Sequence, residues 1–375
     1  GCILAITWPW GQVFPSGFIA HWDPPFHAWK LEYVAQSILS GHLLPPNDNT
    51  NMYYPNSGAL YYEALHWPEA FFAAGLLAIY DNPILVYHLT MVSFWALSGV
   101  CLWMLLVALK TTRASALMGA VLFTIIPYRT SYVVEFNMQL CFGMVLFLYF
   151  LVRYFQKPSA IHAAGIAIAW WLQASSELYQ AVFLVLVLPF IVLPMISGRW
   201  SLLQSRREFW IPVLVALAIA GSLTAIFLLP YMSLLQTHTL ERSLVEVERH
   251  CLEVFSYLLN QSRYGIRIPV DAKHDEMSVY PTLCLGILSL LALVYSLIRH
   301  LRSGESKIKS VARLARLGLI LIFLIVSALT YFKGLHHGRE HLLSLLPVLI
   351  CFASLVVTAL PSRETLENRM VEGLF

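Results

Sequence analysis

The chain has 375 residues, a formal net charge of +3, and 58% hydrophobic residues against only 12% Asp, Glu, Lys and Arg. Water-soluble domains carry about 25% charged residues, so this composition excludes an ordinary soluble fold. The near-neutral balance, with Lys and Arg mostly in short loops, argues against a nucleic-acid partner. Six cysteines (Cys2, Cys101, Cys141, Cys251, Cys284 and Cys351) show no metal-ligand spacing, and all but Cys251 sit in apolar surroundings as small hydrophobes.

In chain order, residues 1–19 begin at Gly1 with no basic n-region, which argues against a signal peptide. They read as the outer part of a first membrane span. Residues 20–83 form a long first outer loop. Within it, Leu31, Val34, Ala35, Ile38 and Leu39 recur at helical spacing, preceded by Pro24 and Pro25 and ended by Gly41. Such a helix is expected to lie in the membrane interface. An aromatic-rich segment from Leu60 to Tyr80 returns the chain to the bilayer.

Six apolar runs follow, at 84–109, 114–127, 131–152, 159–175, 178–197 and 209–230. A second outer loop covers 231–278, and three more runs at 279–298, 317–332 and 341–360 lead to a tail at 361–375. The expected fold is therefore an all-α polytopic membrane protein of about ten transmembrane helices with interfacial helices in the outer loops. Fifteen of the 24 Lys and Arg residues, among them Lys110, Arg113, Arg153, Lys157, Arg199, Arg206 and Arg207, fall in one alternating set of shorter loops. That set, and the C-terminal tail with it, is expected to be cytoplasmic.

Asp23 stands out among the acids, held in Trp22-Asp23-Pro24-Pro25 just beyond the first span. It could serve as a general base, hold a divalent metal, or cap the helix that follows. His27 falls one turn later and could be a second ligand or a partner. Glu63 and His66 stand three apart, which on a helix would put them on one face, either as a metal or acid–base pair or simply facing water. Arg129 at the outer end of a span could meet a lipid phosphate or snorkel to the surface. Glu177 lies in a short outer turn, where an ionisable group is costly and usually faces a cavity. The second outer loop carries Glu241, Arg242, Glu246, Glu248 and Arg249 at spacings of a solvated helix face, and His336-His337-Gly338-Arg339-Glu340-His341 forms a late outer cluster.

The order Asp23-Pro24, Trp29, Tyr54-Pro55-Asn56, Glu63, Asn82-Pro83, Tyr87, Pro127-Tyr128-Arg129, Arg242-Ser243 and Tyr280-Pro281 resembles bacterial membrane proteins similar to the GT-C glycosyltransferases. The resemblance spans about residues 20–345. It implies transfer of a sugar from a polyprenyl-phosphate carrier to a saccharide, lipid or protein acceptor on the outer side of a bacterial inner membrane. Asp23 would then be the base or the ligand of a divalent metal (Mg2+ or Mn2+), with Glu63 as a second catalytic candidate. His27, His66, Arg129, Glu177 and Arg242 would line the substrate site. Asp23 is followed by Pro24 where many members of the family pair two acids. A transporter or flippase for a lipid-linked saccharide, or a non-catalytic partner in envelope polysaccharide assembly, stands as the alternative. A transporter is disfavoured by charge-free span interiors and by the lack of an internal repeat.

Overall fold

A computed structural model describes residues 16–17, 23–42, 50, 58–126, 129, 132, 135–197 and 206–237. The chain divides into two compact units, one of residues 1–186, 201–251 and 261–265 and a second of 187–200, 252–260 and 266–375. Of the second unit the described part is the end of one helix, residues 187–197. The described residues of the first unit are mostly helical and contain no strand.

Helix α1 (Asp23–Leu39) carries the expected stripe, and its end is set by Gly41 at φ 81°. There the His42 amide reaches back to the Ser37 carbonyl and the Gly41 amide to Ile38, a paired closure that glycine permits. The apolar face of α1 packs on neighbouring helices. Leu31, Val34 and Ala35 are buried against protein, because α2 (Trp67–Leu77) and α3 (Pro83–Ala108) cover them. The last turn of that stripe opens outward, with Leu39 exposed.

Asn82 begins α3 by accepting the Leu85 amide on its side chain, with Pro83 at the first helical position. Thr112 caps α4 (Arg113–Ile125) and Ser159 caps α6 (Ala160–Ser176) in the same way. Helix α5 (Phe142–Gln156) lacks a cap of its own. The Gln173 side chain of α6 supplies one across the interface, accepting from the Met144 amide at 2.8 Å and donating to the Leu140 carbonyl at 3.0 Å. Gly143 makes that approach possible, since a Cβ there would lie 2.7 Å from the Gln173 backbone nitrogen. Helix α7 covers Leu178–Ser197 and α8 covers Arg206–Thr237.

Among the described residues, three segments are long and apolar enough to cross a membrane: Pro83–Ala108, Asn137–Gln156 and Phe209–Leu234. Arg113–Ile125 and Leu178–Pro189 are shorter apolar helices. The runs expected at 279–298, 317–332 and 341–360 lie outside the described residues, as does most of the first run. Two boundaries move. The run expected at 131–152 becomes α-helical only at Phe142, after a 3-10 turn at Asn137–Gln139. Side chains there take backbone partners of their own: Gln139 donates to the Arg129 and Tyr132 carbonyls, and Asn137 accepts the Met138 amide. Helix α8 continues to Thr237, past the expected start of the second outer loop at 231.

The helix ends sort by chemistry. Gln156 donates to the Ala108 carbonyl, and the Tyr154 hydroxyl to the Phe209 carbonyl, so the ends of α3 and α5 and the start of α8 meet. Lys110, Arg113, Arg153, Lys157 and Arg207 flank that end in the chain. The starts of α3 and α5, the end of α6 and the late part of α8 form the other end, where His27, Glu63, His66, Glu69 and Glu177 gather.

Candidate functional site

The site is built on the segment between α1 and α2. After a 3-10 turn at Ala59–Tyr62, Glu63 is extended (φ −144°, ψ 168°), and His66 takes a left-handed conformation (φ 52°, ψ 51°) before α2 begins. Glu63 and His66 therefore do not share a helix face, which corrects the helical reading of their spacing. Tyr231 of α8 clamps this stretch: its hydroxyl donates to the Glu63 carbonyl at 3.2 Å and accepts the Leu65 amide at 3.1 Å. A positive φ is costly for a residue with a side chain. His66 is held there by its Nδ1, which donates to the Ser176 carbonyl at 2.7 Å.

The extended stretch carries both side chains into contact with α1. Lys30 donates to Glu63 Oε2, and His27 Nδ1 lies 3.4 Å from the same oxygen. Asn137 donates to Glu63 Oε1 at 3.4 Å. Lys30 is 0% exposed and His27 2%, while Glu63 keeps 20% of its side chain open. The imidazoles of His27 and His66 sit 6.0 Å apart, and both rest on the Phe136 ring. The ligand atoms of His27, Glu63 and His66 lie within 4.8 Å of one another, and this group could hold a metal ion.

Electrostatics in the nest follow from burial. Desolvation pulls His27 down to about 3, with help from the nearby Lys30 charge, and it holds His66 well below the usual histidine range. Both imidazoles are neutral at physiological pH. Burial also lowers Lys30 against the upward pull of Glu63. Glu69, wholly enclosed on α2, rises to about 8 through desolvation even though Ser176 Oγ donates to its Oε1 at 2.5 Å. Burial lifts Glu177, in the α6–α7 turn, to about 7 despite the Tyr179 amide at 3.2 Å.

Glu69 sets a pH dependence. Below 4.5, its ordinary value, the folded and unfolded chains both carry the proton. Between 4.5 and 8 the folded chain keeps it and the unfolded chain releases it, so stability falls as pH rises through this window. Glu69→Gln is expected to make the fall shallower by up to about 1.4 kcal/mol per pH unit. Unfolding midpoints measured from pH 5 to 8 check this, and an unchanged slope contradicts it.

The structure brings His27, Glu63, His66 and Glu177 into one neighbourhood; both Glu63 and Glu177 act on Lys30. Asp23 stands apart from the enclosed group, as the exposed first residue of α1, one helical turn before His27. With Glu63 and Glu135 it lies near enough to act electrostatically on the buried Tyr87. Arg129 is buried and turned to Gln139, donating to its side-chain oxygen at 3.1 Å and its carbonyl at 2.7 Å, with Phe123 and Trp95 against its guanidinium. Arg242 lies outside the described residues.

Sequence reasoning passed over Lys30, Glu69, Ser176 and Tyr231. Lys30 carried a readable signal: it falls three residues after His27, beside Leu31 and within the buried stripe of α1. The contacts of Ser176 and Tyr231 join residues more than a hundred positions apart and leave no local trace. No family model matches the chain, and no curated protein matches it.

Proposed function

We propose that the chain is a multi-pass glycosyltransferase of the bacterial inner membrane, with about ten spans and a cytoplasmic C-terminus. It moves a sugar from a polyprenyl-phosphate carrier to a saccharide, lipid or protein acceptor on the outer side. The observation that carries this reading is the arrangement of carboxylates at one end of the helices. Asp23 is exposed one turn from an enclosed group of His27, Lys30, Glu63 and His66, where a carboxylate can meet an acceptor arriving from water. A transporter would need its charges along the middle of the spans instead.

In this reaction the acceptor hydroxyl oxygen bonds to the anomeric carbon, and its proton passes to Asp23. The bond from the anomeric carbon to the phosphate oxygen breaks, and the phosphate keeps the electron pair. Arg242 is the proposed partner of that phosphate, since Gln139 already engages Nε and Nη2 of Arg129. His27, His66 and Glu177 form the enclosed wall behind Asp23, and Glu63 holds His27 and Lys30 in place.

Asp23→Asn keeps the shape and removes the base. In membrane vesicles supplied with a radiolabelled polyprenyl-phosphate hexose, transfer is expected to fall about 10²- to 10⁴-fold. Transfer at the full rate in this variant would remove Asp23 from the chemistry.

A further inference from the structure

We propose that His27, Glu63 and His66 form a three-ligand site for a divalent transition-metal ion of the Zn2+ class. It would be an N2O site, distinct from the oxygen-ligated Mg2+ or Mn2+ expected at Asp23. The inference deepens the proposed transferase site and rests on it for location only. Its test reads metal and not sugar transfer, so either can fail alone.

Hydrogen bonding fixes the tautomer of His66. Its Nδ1 faces the Ser176 carbonyl at 2.7 Å, and a carbonyl can only accept, so Nδ1 carries the proton. The lone pair is therefore on Nε2, which is fully buried and has no hydrogen-bond partner. An unpartnered acceptor in a closed interior is costly unless something fills it. A backbone carbonyl holding the far nitrogen is also how metal-binding histidines are oriented. His27 is likewise enclosed: it is 2% exposed, its Nδ1 takes no hydrogen bond, and that atom stands 3.4 Å from Glu63 Oε2.

Ligand distances fit the ion. Zn–N and Zn–O bonds of about 2.0–2.2 Å put neighbouring tetrahedral ligands roughly 3.3–3.6 Å apart. The His27–Glu63 edge is already at 3.4 Å, and all three ligand atoms lie within 4.8 Å. A side-chain rotation of roughly an ångström closes the third corner. Two imidazoles and one carboxylate suit Zn2+ and its neighbours, whereas Mg2+ prefers an oxygen shell. Three protein ligands leave a fourth position open. Lys30 occupies the cation's place beside Glu63, and its charge is what an arriving ion must displace.

The full-length protein, purified in detergent and stripped with a chelator, is titrated with ZnCl2 and its bound zinc counted by mass spectrometry. About one zinc per chain is expected for the wild type. His27→Ala/His66→Ala is expected to lose it, while Lys30→Met binds about tenfold more tightly or better because a competing charge is gone. Melting curves without metal report whether each variant folds. X-ray absorption of the zinc-loaded wild type gives a readout that needs no variant, and it is expected to show two imidazoles and oxygen. No zinc on the wild type, zinc retained by the double histidine variant (as it would be on His336, His337 and His341), or a first shell lacking imidazole each overturns the proposal.

Discussion

Replacing Glu63 by Gln is expected to destabilise the protein by about 3 to 5 kcal/mol, toward the lower figure because Glu63 retains 20% side-chain exposure. The loss comes from Lys30. Its ammonium is 0% exposed and donates to Glu63 Oε2, so neutralising the carboxylate strands a charge in the interior. The desolvation penalty of that ammonium remains while its compensating partner is gone. Lys30→Met on the Glu63→Gln background removes the stranded charge and is expected to restore most of the lost stability. A double-mutant cycle measured by denaturation in mixed micelles gives the coupling. Additive effects of the two substitutions would show that the ion pair is not a unit.

Arg129→Lys carries the second large effect, about 2 to 3 kcal/mol of stability. The guanidinium makes two hydrogen bonds to Gln139, one to its side-chain oxygen and one to its carbonyl, and lies against Phe123 and Trp95. Lysine is a point charge on a flexible stem and reproduces neither the fork nor the flat face. The Gln139 side chain is 0% exposed and also donates to the Arg129 and Tyr132 carbonyls, so its loss of partners spreads into the turn before α5. The expected signature is a lower unfolding midpoint with an unchanged KM for the carrier-linked sugar. A large rise in KM at unchanged stability would instead return Arg129 to the carrier phosphate.

These two residues also show where a sequence can and cannot be read. Helices apolar enough to cross a membrane, such as Pro83–Ala108, are legible because they write themselves as a long apolar run, and Asn82-Pro83 marks the start. The stripe and terminal glycine of α1 are legible for the same local reasons. Glu63 and His66 stand out in the sequence and their spacing suggests a helix, but Pro68 takes the first turn of α2 and the residues before it belong to the approach. At Asn137–Gln139 the hydropathy of the run hid polar side chains that compete for the backbone. Lys30 falls in the long first outer loop by chain position, yet its register on α1 places it on the buried face. The convergence of residues 27, 30, 63, 66 and 177 is a tertiary fact. No local pattern encodes that the end of α6 and the late part of α8 close over the segment between α1 and α2.

The central claim is that sugar is transferred, not merely carried across the membrane. Its most direct test is the fate of the glycosyl–phosphate bond in proteoliposomes holding the purified protein, a doubly labelled polyprenyl-phosphate hexose and a set of saccharide acceptors. The account predicts that free polyprenyl phosphate appears in step with glycosylated acceptor, one for one, and that Asp23→Asn suppresses both. Intact carrier-linked sugar arriving in the opposite leaflet, with no bond cleaved and no effect of Asp23→Asn, would contradict it.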